Sequence, residues 1–189
     1  MLAGKTILIG VTGGVAAHYI PELIGQLRWR HMAHVQVIMT PAAARFITPL
    51  TLKVASGNEV YADLWKAAER TPLIHIQLAG LAELVLIAPA TADILAKLAH
   101  GLADGLVTLT VLATNAPVVL APSMHQEMWN KAVVQHNVAR LKDWGYHLVG
   151  PERGLSATGE MAEGRMANIG AIIGKLIEVS DAKRDVRGE

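Results

Sequence analysis

Residues 74–105, IHIQLAGLAELVLIAPATADILAKLAHGLADG, contain the stretch that decides the fold. Within it, residues 84–88 (LVLIA) form a continuous apolar run, which is typical of a strand buried on both faces of a parallel sheet. Pro89 is expected to end this strand, because proline has no N–H to donate to a neighbouring strand. Thr91 and Asp93 then offer side-chain oxygens at the start of an apolar pattern with helical spacing. The stretch therefore predicts a strand, a tight turn and a helix.

The same alternation of strands and helices continues on both sides of this stretch. Further strands are predicted at residues 5–11, 35–39, 117–121 and 146–149. The pattern predicts a single doubly wound, mostly parallel α/β sheet. Right-handed crossovers bring the turns after such strands to one edge, where open α/β sheets bind ligands. The turns concerned are residues 12–15, 40–46, 91–94 and 123–129.

Residues 12–17 (TGGVAA) form a candidate phosphate-binding turn after the first strand. Gly13 and Gly14 permit positive φ angles and close approach of a ligand, and free N–H groups at the next helix start favour an anion. The turn matches neither G-x-G-x-x-G nor a Walker loop, so a glycine-rich turn without a ligand is the alternative. A plain strand-to-helix connection is likewise the alternative at residues 91–94.

Two isolated residues have both a structural and a functional interpretation. Phe46, the only phenylalanine, either packs in the core or packs beside a planar ligand. His75 lies just before the central strand, where a lone histidine is usually structural.

Composition narrows the class of protein. The chain is 52% hydrophobic and 17% charged, which fits a sheet covered on both faces or a surface buried in an oligomer. A formal net charge of +1 implies no broad basic face for nucleic acid. The absence of cysteine excludes disulfides, thiolate metal sites and a cysteine nucleophile, and is compatible with the cytoplasm. The uncharged residues 106–124 contain two prolines and Asn115, so we expect no membrane helix, and no signal peptide is visible.

The last part of the chain differs in composition from the strands and helices before it. Residues 150–167 contain four glycines and no apolar periodicity, which predicts a long mobile loop. A closing helix follows, and residues 181–189 form a charged tail. We therefore expect one domain over residues 1–180.

Four stretches, taken in order, resemble the flavin-containing cysteine decarboxylases, an FMN-binding family that includes phosphopantothenoylcysteine decarboxylase and the lantibiotic peptide decarboxylases. They are GVTGGVAA at residues 10–17, HIQLAGLAELVLIAPATADILAKLAHGLAD at 75–104, PSMHQEMW at 122–129 and GLSATGEMAEGRM at 154–166. The second resembles the family's proline-alanine-serine-alanine-asparagine-threonine motif, and the third its proline-x-methionine-asparagine-x-x-methionine-tryptophan motif. The fourth resembles the substrate-clamp loop, and the likeness covers about residues 4–180.

The resemblance implies a Rossmann-like flavoprotein that assembles as a homotrimer or a higher multiple. FMN is then expected beside Gly13, Gly14, Val15, Thr40, Phe46, Thr91, Ala92, Asp93 and Ser123. His75 matches the family's catalytic histidine, with a task in proton transfer or positioning. The substrate clamp at residues 150–167 would include Leu155, Ala157, Gly159, Gly164, Arg165 and Met166.

In this family, FMN oxidises the substrate cysteine to a thioaldehyde, which is the electron sink for loss of carbon dioxide and leaves an enethiol. The coenzyme A branch then reduces the enethiol, with a clamp cysteine as proton donor. Two departures affect this chemistry: the asparagine that holds the substrate carboxylate is His125 here, and the clamp cysteine is Thr158. Both alter the substrate part of the site and leave the FMN residues largely intact.

Three hypotheses follow from the resemblance and its departures. The first is an FMN-dependent decarboxylase of a small-molecule or peptide cysteine-type substrate, with His75, His125 and Thr158 as catalytic residues. The second is a flavoprotein of the same fold with different redox chemistry, in which His75 and His125 form an acid–base pair. The third is a non-catalytic FMN-binding or regulatory protein.

Overall fold

The central feature is a parallel β-sheet. The structure, a computed structural model, describes residues 1–155, 159 and 161–187. The strands of the sheet are β1 (Thr6–Val11), β2 (His34–Met39), β3 (Val60–Tyr61), β4 (Leu84–Ala90), β5 (Val118–Pro122) and β6 (His147–Leu148). Within the described residues they pair in the order β3-β2-β1-β4-β5-β6, and every pair is parallel. This is the strand order of a doubly wound Rossmann sheet, so the predicted fold class is confirmed.

Helices connect the strands and cover both faces of the sheet. They are α1 (Ile20–Trp29), α2 (Pro49–Ser56), α3 (Leu64–Ala68), α4 (Ile74–Leu81), α5 (Ala92–Ala99), α6 (Leu106–Ala113), α7 (Gln126–Trp129), α8 (Ala132–Asp143) and α9 (Ile169–Arg187). A five-residue 3₁₀ helix, Val15–Tyr19, precedes α1. In the part of the chain that the structure describes, every helix is too short or too polar to cross a membrane.

The central strands supply two separate cores. In β4, Leu84 and Leu86 belong to the core beneath α1, α2 and α9, whereas Val85 and Ile87 belong to the core beneath α4, α5, α6 and α8. All of these side chains are at most 1% exposed. Because successive residues of a strand point to opposite faces, burial on both faces explains the continuous apolar run that the sequence shows.

The prediction that Pro89 ends the central strand is wrong. Strand β4 continues to Ala90, and its register with β5 shifts between Ile87 and Ala90. Proline is tolerated at such an irregularity, because the regular pattern of strand hydrogen bonds is already interrupted there. The helix cap is as predicted, since the Thr91 hydroxyl accepts a hydrogen bond from the N–H of Ile94 at 3.4 Å.

Two predicted irregular regions contain regular structure. Where a loop was expected, β7 (Glu152–Leu155) and β8 (Met161–Arg165) form an antiparallel hairpin separate from the main sheet. Helix α9 continues to Arg187, into the segment expected to be a charged tail. Neither the hairpin nor the end of α9 was predicted, because exposed strands and charged helix ends carry little apolar periodicity.

Candidate functional site

A cavity of about 1,100 Å³ lies where the turns after β1, β2, β4 and β5 meet. The residues predicted to contact FMN all line this cavity, namely Gly13, Gly14, Val15, Thr40, Phe46, Thr91, Ala92, Asp93 and Ser123. These residues come from four separate turns, and parallel topology brings the carboxyl ends of their strands to one edge. Their contact with FMN stays a prediction, but their convergence on a single cavity is observed.

The glycine turn after β1 has a different structural cause from the expected one. Neither Gly13 nor Gly14 has a positive φ, and Gly14 is extended, with φ −135°. A Cβ atom on Gly13 would lie 2.6 Å from the Cβ of Ala42, and one on Gly14 would lie 3.3 Å from the Cγ of Pro89. Glycine is needed here because three turns of the cavity wall pack directly against one another.

Thr12 joins two of these turns and was not among the predicted site residues. Its side chain is 2% exposed, and its hydroxyl donates a hydrogen bond to the carbonyl oxygen of Pro89. The same hydroxyl lies 3.4 Å from the Oγ1 atom of Thr91. Thr12 therefore sets the position of the cap residue at the start of α5, a role that no local sequence pattern reveals.

A charged cluster forms another part of the cavity wall. The Nζ atom of Lys97 lies 2.9 Å from a carboxylate oxygen of Asp104 and 3.4 Å from one of Asp93. Hydrogen bonding to Asp104 raises the pKa of Lys97, and the same bond lowers the pKa of Asp104. Lys97 and Asp104 thus stay ionised near neutral pH. The four-residue spacing of Asp93 and Lys97 on a predicted helix was the available signal.

His125 lines the cavity at the N-terminus of α7. Its Nδ1 atom accepts a hydrogen bond from the backbone N–H of Glu127 at 3.2 Å. In the neutral ring the proton must then lie on Nε2, so this nitrogen is a hydrogen-bond donor. The NH₂ group of an asparagine side chain is also a donor, so the replacement of asparagine by histidine preserves that capacity.

The hairpin closes the cavity from outside the main sheet. Gly164, Arg165 and Met166 line the cavity, as do Ala162 and Glu163. The backbone N–H of Met124 donates to the carbonyl of Gly164 at 2.9 Å. The N–H of Glu163 donates to the side-chain oxygen of Gln126 at 2.8 Å.

Several predicted residues are not brought to this cavity. His75 is half-buried on α4 and is not among the lining residues of its own chain. Gly159 is exposed and is also not a lining residue. Leu155 ends β7, while Ala157 and Thr158 lie outside the described residues.

The cavity suits a planar cofactor that carries an anionic group. Its volume slightly exceeds the roughly 300–1,000 Å³ of typical small-molecule pockets, so it can hold a cofactor together with part of a substrate. The turn after β1 lines it through Gly13, Gly14 and Val15, and backbone N–H groups at the start of the following helix favour an anion. Phe46, 49% exposed at the cavity, offers a flat apolar surface.

Comparison with known proteins agrees with this site. The family model described as "Flavoprotein" matches residues 1–180, and the chain belongs to that family. The family predicted from the four sequence stretches is thereby confirmed.

Two relatives match most of the chain. The chain is 43% identical, over 99% of its length, to the coenzyme A biosynthesis bifunctional protein CoaBC of Haemophilus influenzae, and covers 46% of that protein. The chain therefore spans about half the length of the bifunctional relatives it matches. It is 42% identical to the probable phosphopantothenoylcysteine decarboxylase of Streptococcus mutans, over 92% of this chain and 98% of the relative.

Solved structures show the same architecture. The FMN-dependent cysteine decarboxylase SpaF superposes with a TM-score of 0.83 at 32% identity, covering 95% of this chain and 99% of that one. A phosphopantothenoylcysteine decarboxylase mutant in complex with pantothenoylaminoethenethiol gives a TM-score of 0.82 at 27% identity, covering 92% and 96%.

Proposed function

We propose that the chain is an FMN-dependent decarboxylase that acts on the carboxylate of a cysteine-type substrate. The observation that carries this proposal is the single cavity that joins the predicted FMN residues, His125 and the β7–β8 hairpin. The probable decarboxylase of Streptococcus mutans, which matches this chain almost end to end, makes phosphopantothenoylcysteine the first substrate to test. A place in coenzyme A biosynthesis in the cytoplasm follows from that substrate.

The residues of the chain bind and orient, and the cofactor supplies the redox chemistry. FMN, when bound, takes up the two electrons that the substrate loses before carbon dioxide leaves. The turns at Gly13, Thr40 and Thr91 hold the cofactor at the sheet edge. The Nε2–H group of His125 donates a hydrogen bond to the substrate carboxylate, and the hairpin forms part of the cavity wall.

His75 takes part in this reaction only if a second copy of the chain presents it. The residue lies on α4, away from the cavity of its own chain. Leu73, Ile76 and Leu81 surround it in sequence and are 64%, 51% and 54% exposed, which is unusual for large apolar side chains near one another. A homo-oligomer, with a trimer as the expected form, buries this surface and brings His75 towards a neighbouring cavity.

Mixed oligomers test the contribution of His75 from a second copy. His75→Asn and His125→Ala chains are each expected to have low activity alone. Co-refolded chains should recover part of the activity, because some cavities then combine the His125 of a His75→Asn chain with the His75 of a His125→Ala neighbour. Activity that stays at the level of the single variants would refute the contribution from a neighbouring chain.

The decarboxylase itself is tested under anaerobic conditions. The protein is purified with FMN, phosphopantothenoylcysteine is added, and flavin bleaching is followed together with carbon dioxide. Bleaching with stoichiometric carbon dioxide is expected, and His125→Ala should slow both. His136→Ala is the matched control, because His136 is exposed on α8 and does not line the cavity. Bound FMN with neither signal would favour the non-catalytic flavoprotein.

A further inference from the structure

Arg165 is held in a defined position at the cavity by contacts from two distant parts of the chain. Its Nη2 atom donates to the hydroxyl oxygen of Tyr19 at 2.9 Å, and its Cζ atom lies 5.7 Å from the centre of the Tyr19 ring. The aliphatic part of the side chain crosses Gly154 of β7, where a Cβ atom would lie 3.0 Å from the Cδ of Arg165. The guanidinium is therefore oriented before any ligand arrives.

Within the part of the chain that the structure describes, no carboxylate forms an ion pair with Arg165. Lys97, the other basic side chain of lysine or arginine type in the cavity wall, is paired with Asp93 and Asp104. Among the ion pairs of residues 1–155, 159 and 161–187, none includes Arg165. A positioned guanidinium without an acidic partner, at the wall of a ligand cavity, is suited to an anionic ligand.

Tyr19 supplies a second donor at the same place. Its oxygen accepts the hydrogen bond from Arg165, so its own hydroxyl hydrogen is available to a ligand. The ring is held by His18, whose ring centre lies 3.8 Å away and whose Nδ1 donates to the carbonyl of Val15 at 2.7 Å. Arg165 and Tyr19 thus direct several N–H donors and one O–H donor to one wall of the cavity.

We propose that Arg165 and Tyr19 form the subsite for a phosphate group of the substrate, which rests on the proposed function and specifies the substrate as a phosphorylated cysteine conjugate. A phosphate has three acceptor oxygens, which match the forked guanidinium and the phenolic hydrogen. The substrate carboxylate has a separate donor in the Nε2–H group of His125.

Binding of two matched ligands tests the subsite without any turnover. Titration calorimetry on the FMN-loaded protein compares 4′-phosphopantetheine with pantetheine, which differ only in the phosphate. We expect the phosphorylated ligand to bind about tenfold or more tightly, as for hydrogen bonds to a charged group. Arg165→Met should remove this preference and Tyr19→Phe should reduce it. Arg153→Met is the matched control and should retain it, because Arg153 lies exposed on the same hairpin but not in the cavity wall.

Chemical modification identifies the group that Arg165 contacts. Phenylglyoxal labelling, read by mass spectrometry, is expected to slow at Arg165 with 4′-phosphopantetheine and not with pantetheine, while labelling of Arg153 stays constant. Three results would overturn the subsite: protection by pantothenoylcysteine, which has the carboxylate alone; equal protection by pantetheine; or protection by FMN alone. Binding of both pantetheine ligands without discrimination would remove the subsite and leave the decarboxylase intact. Binding of neither would remove the proposed substrate as well.

Discussion

Gly164 determines how the hairpin attaches to the cavity, and its replacement by alanine gives the sharpest test of that attachment. The residue has φ +137°, in the region that favours glycine, and it is buried. A Cβ atom there would lie 2.2 Å from the carbonyl oxygen of Met124 and 3.2 Å from the backbone nitrogen of Gln126. Both are backbone atoms, so no side-chain rotation relieves the clash. Gly164→Ala must therefore move β8 away from the turn at residues 124–126.

The magnitude follows from the contacts that this movement breaks. The bonds from Met124 N–H to the Gly164 carbonyl and from Glu163 N–H to the Gln126 side chain are lost. Each contributes about 0.5–1.5 kcal/mol, so these two bonds favour the docked hairpin by about 1–3 kcal/mol. The alanine opposes docking with a backbone strain of about 1–3 kcal/mol, and a strain of about 2 kcal/mol disfavours the docked hairpin by a factor of about 30.

Hydrogen exchange and ligand binding measure the outcome. In Gly164→Ala, amides of residues 161–166 should exchange faster and the KM of the substrate should rise. FMN content and the melting temperature should change little, because the hairpin is separate from the main sheet. Gly4→Ala is the control: Gly4 also has a positive φ, +73°, but a Cβ atom there meets no atom within 4 Å, and the residue lies outside the cavity wall. Unchanged exchange and KM in Gly164→Ala would refute the reasoning, as would equal effects in both variants.

Two further predictions concern residues away from the hairpin. Thr12→Val leaves the buried carbonyl of Pro89 without its donor, so it should lower the free energy of unfolding by about 1–3 kcal/mol and weaken FMN binding. Thr12→Ser keeps the hydroxyl and should behave like the parent protein in urea unfolding and flavin titration. An equal loss in both variants would contradict this. Burial lowers the pKa of His147, and Lys175 adds to the effect. The unfolded chain therefore binds the proton more tightly, so the stability that His147 contributes is complete above its unfolded pKa of about 6.5 and is lost as the pH falls through the lower folded value. His147→Gln should consequently lose less stability than the parent between pH 7 and pH 5, and a difference that does not vary with pH would refute this role.

The sheet and the flavin turns could be predicted from the sequence because each depends on neighbouring residues. The continuous apolar run of β4 reflects burial on both faces, and the Thr91 cap acts on an N–H three residues away. Parallel topology then places the turns together without any further information. This is why the predicted FMN residues all line one cavity.

The features that the sequence did not reveal depend on distant partners. Arg165 and Tyr19 are 146 positions apart, and Thr12 bonds to a carbonyl 77 positions away. The hairpin also escaped prediction, since it is attached to the rest of the chain by hydrogen bonds to the turn at residues 124–126 and to Tyr19, and not by a periodic apolar face. His75 shows the opposite: the sequence predicted a catalytic residue, but His75 does not line the cavity of its own chain.

The two halves of the cavity differ in how strongly they are tied to the core. The flavin side is the part of the wall formed by the turns after β1, β2 and β4. There Gly13 packs against Ala42, and Thr12 is buried beneath the cap of α5, so most substitutions disturb several turns at once. On the substrate side, His125 is exposed and the hairpin meets the adjacent turn through a few hydrogen bonds. Replacement of a family residue on this side costs little stability. A change of substrate chemistry can therefore arise at His125 and in the hairpin while the flavin turns stay intact.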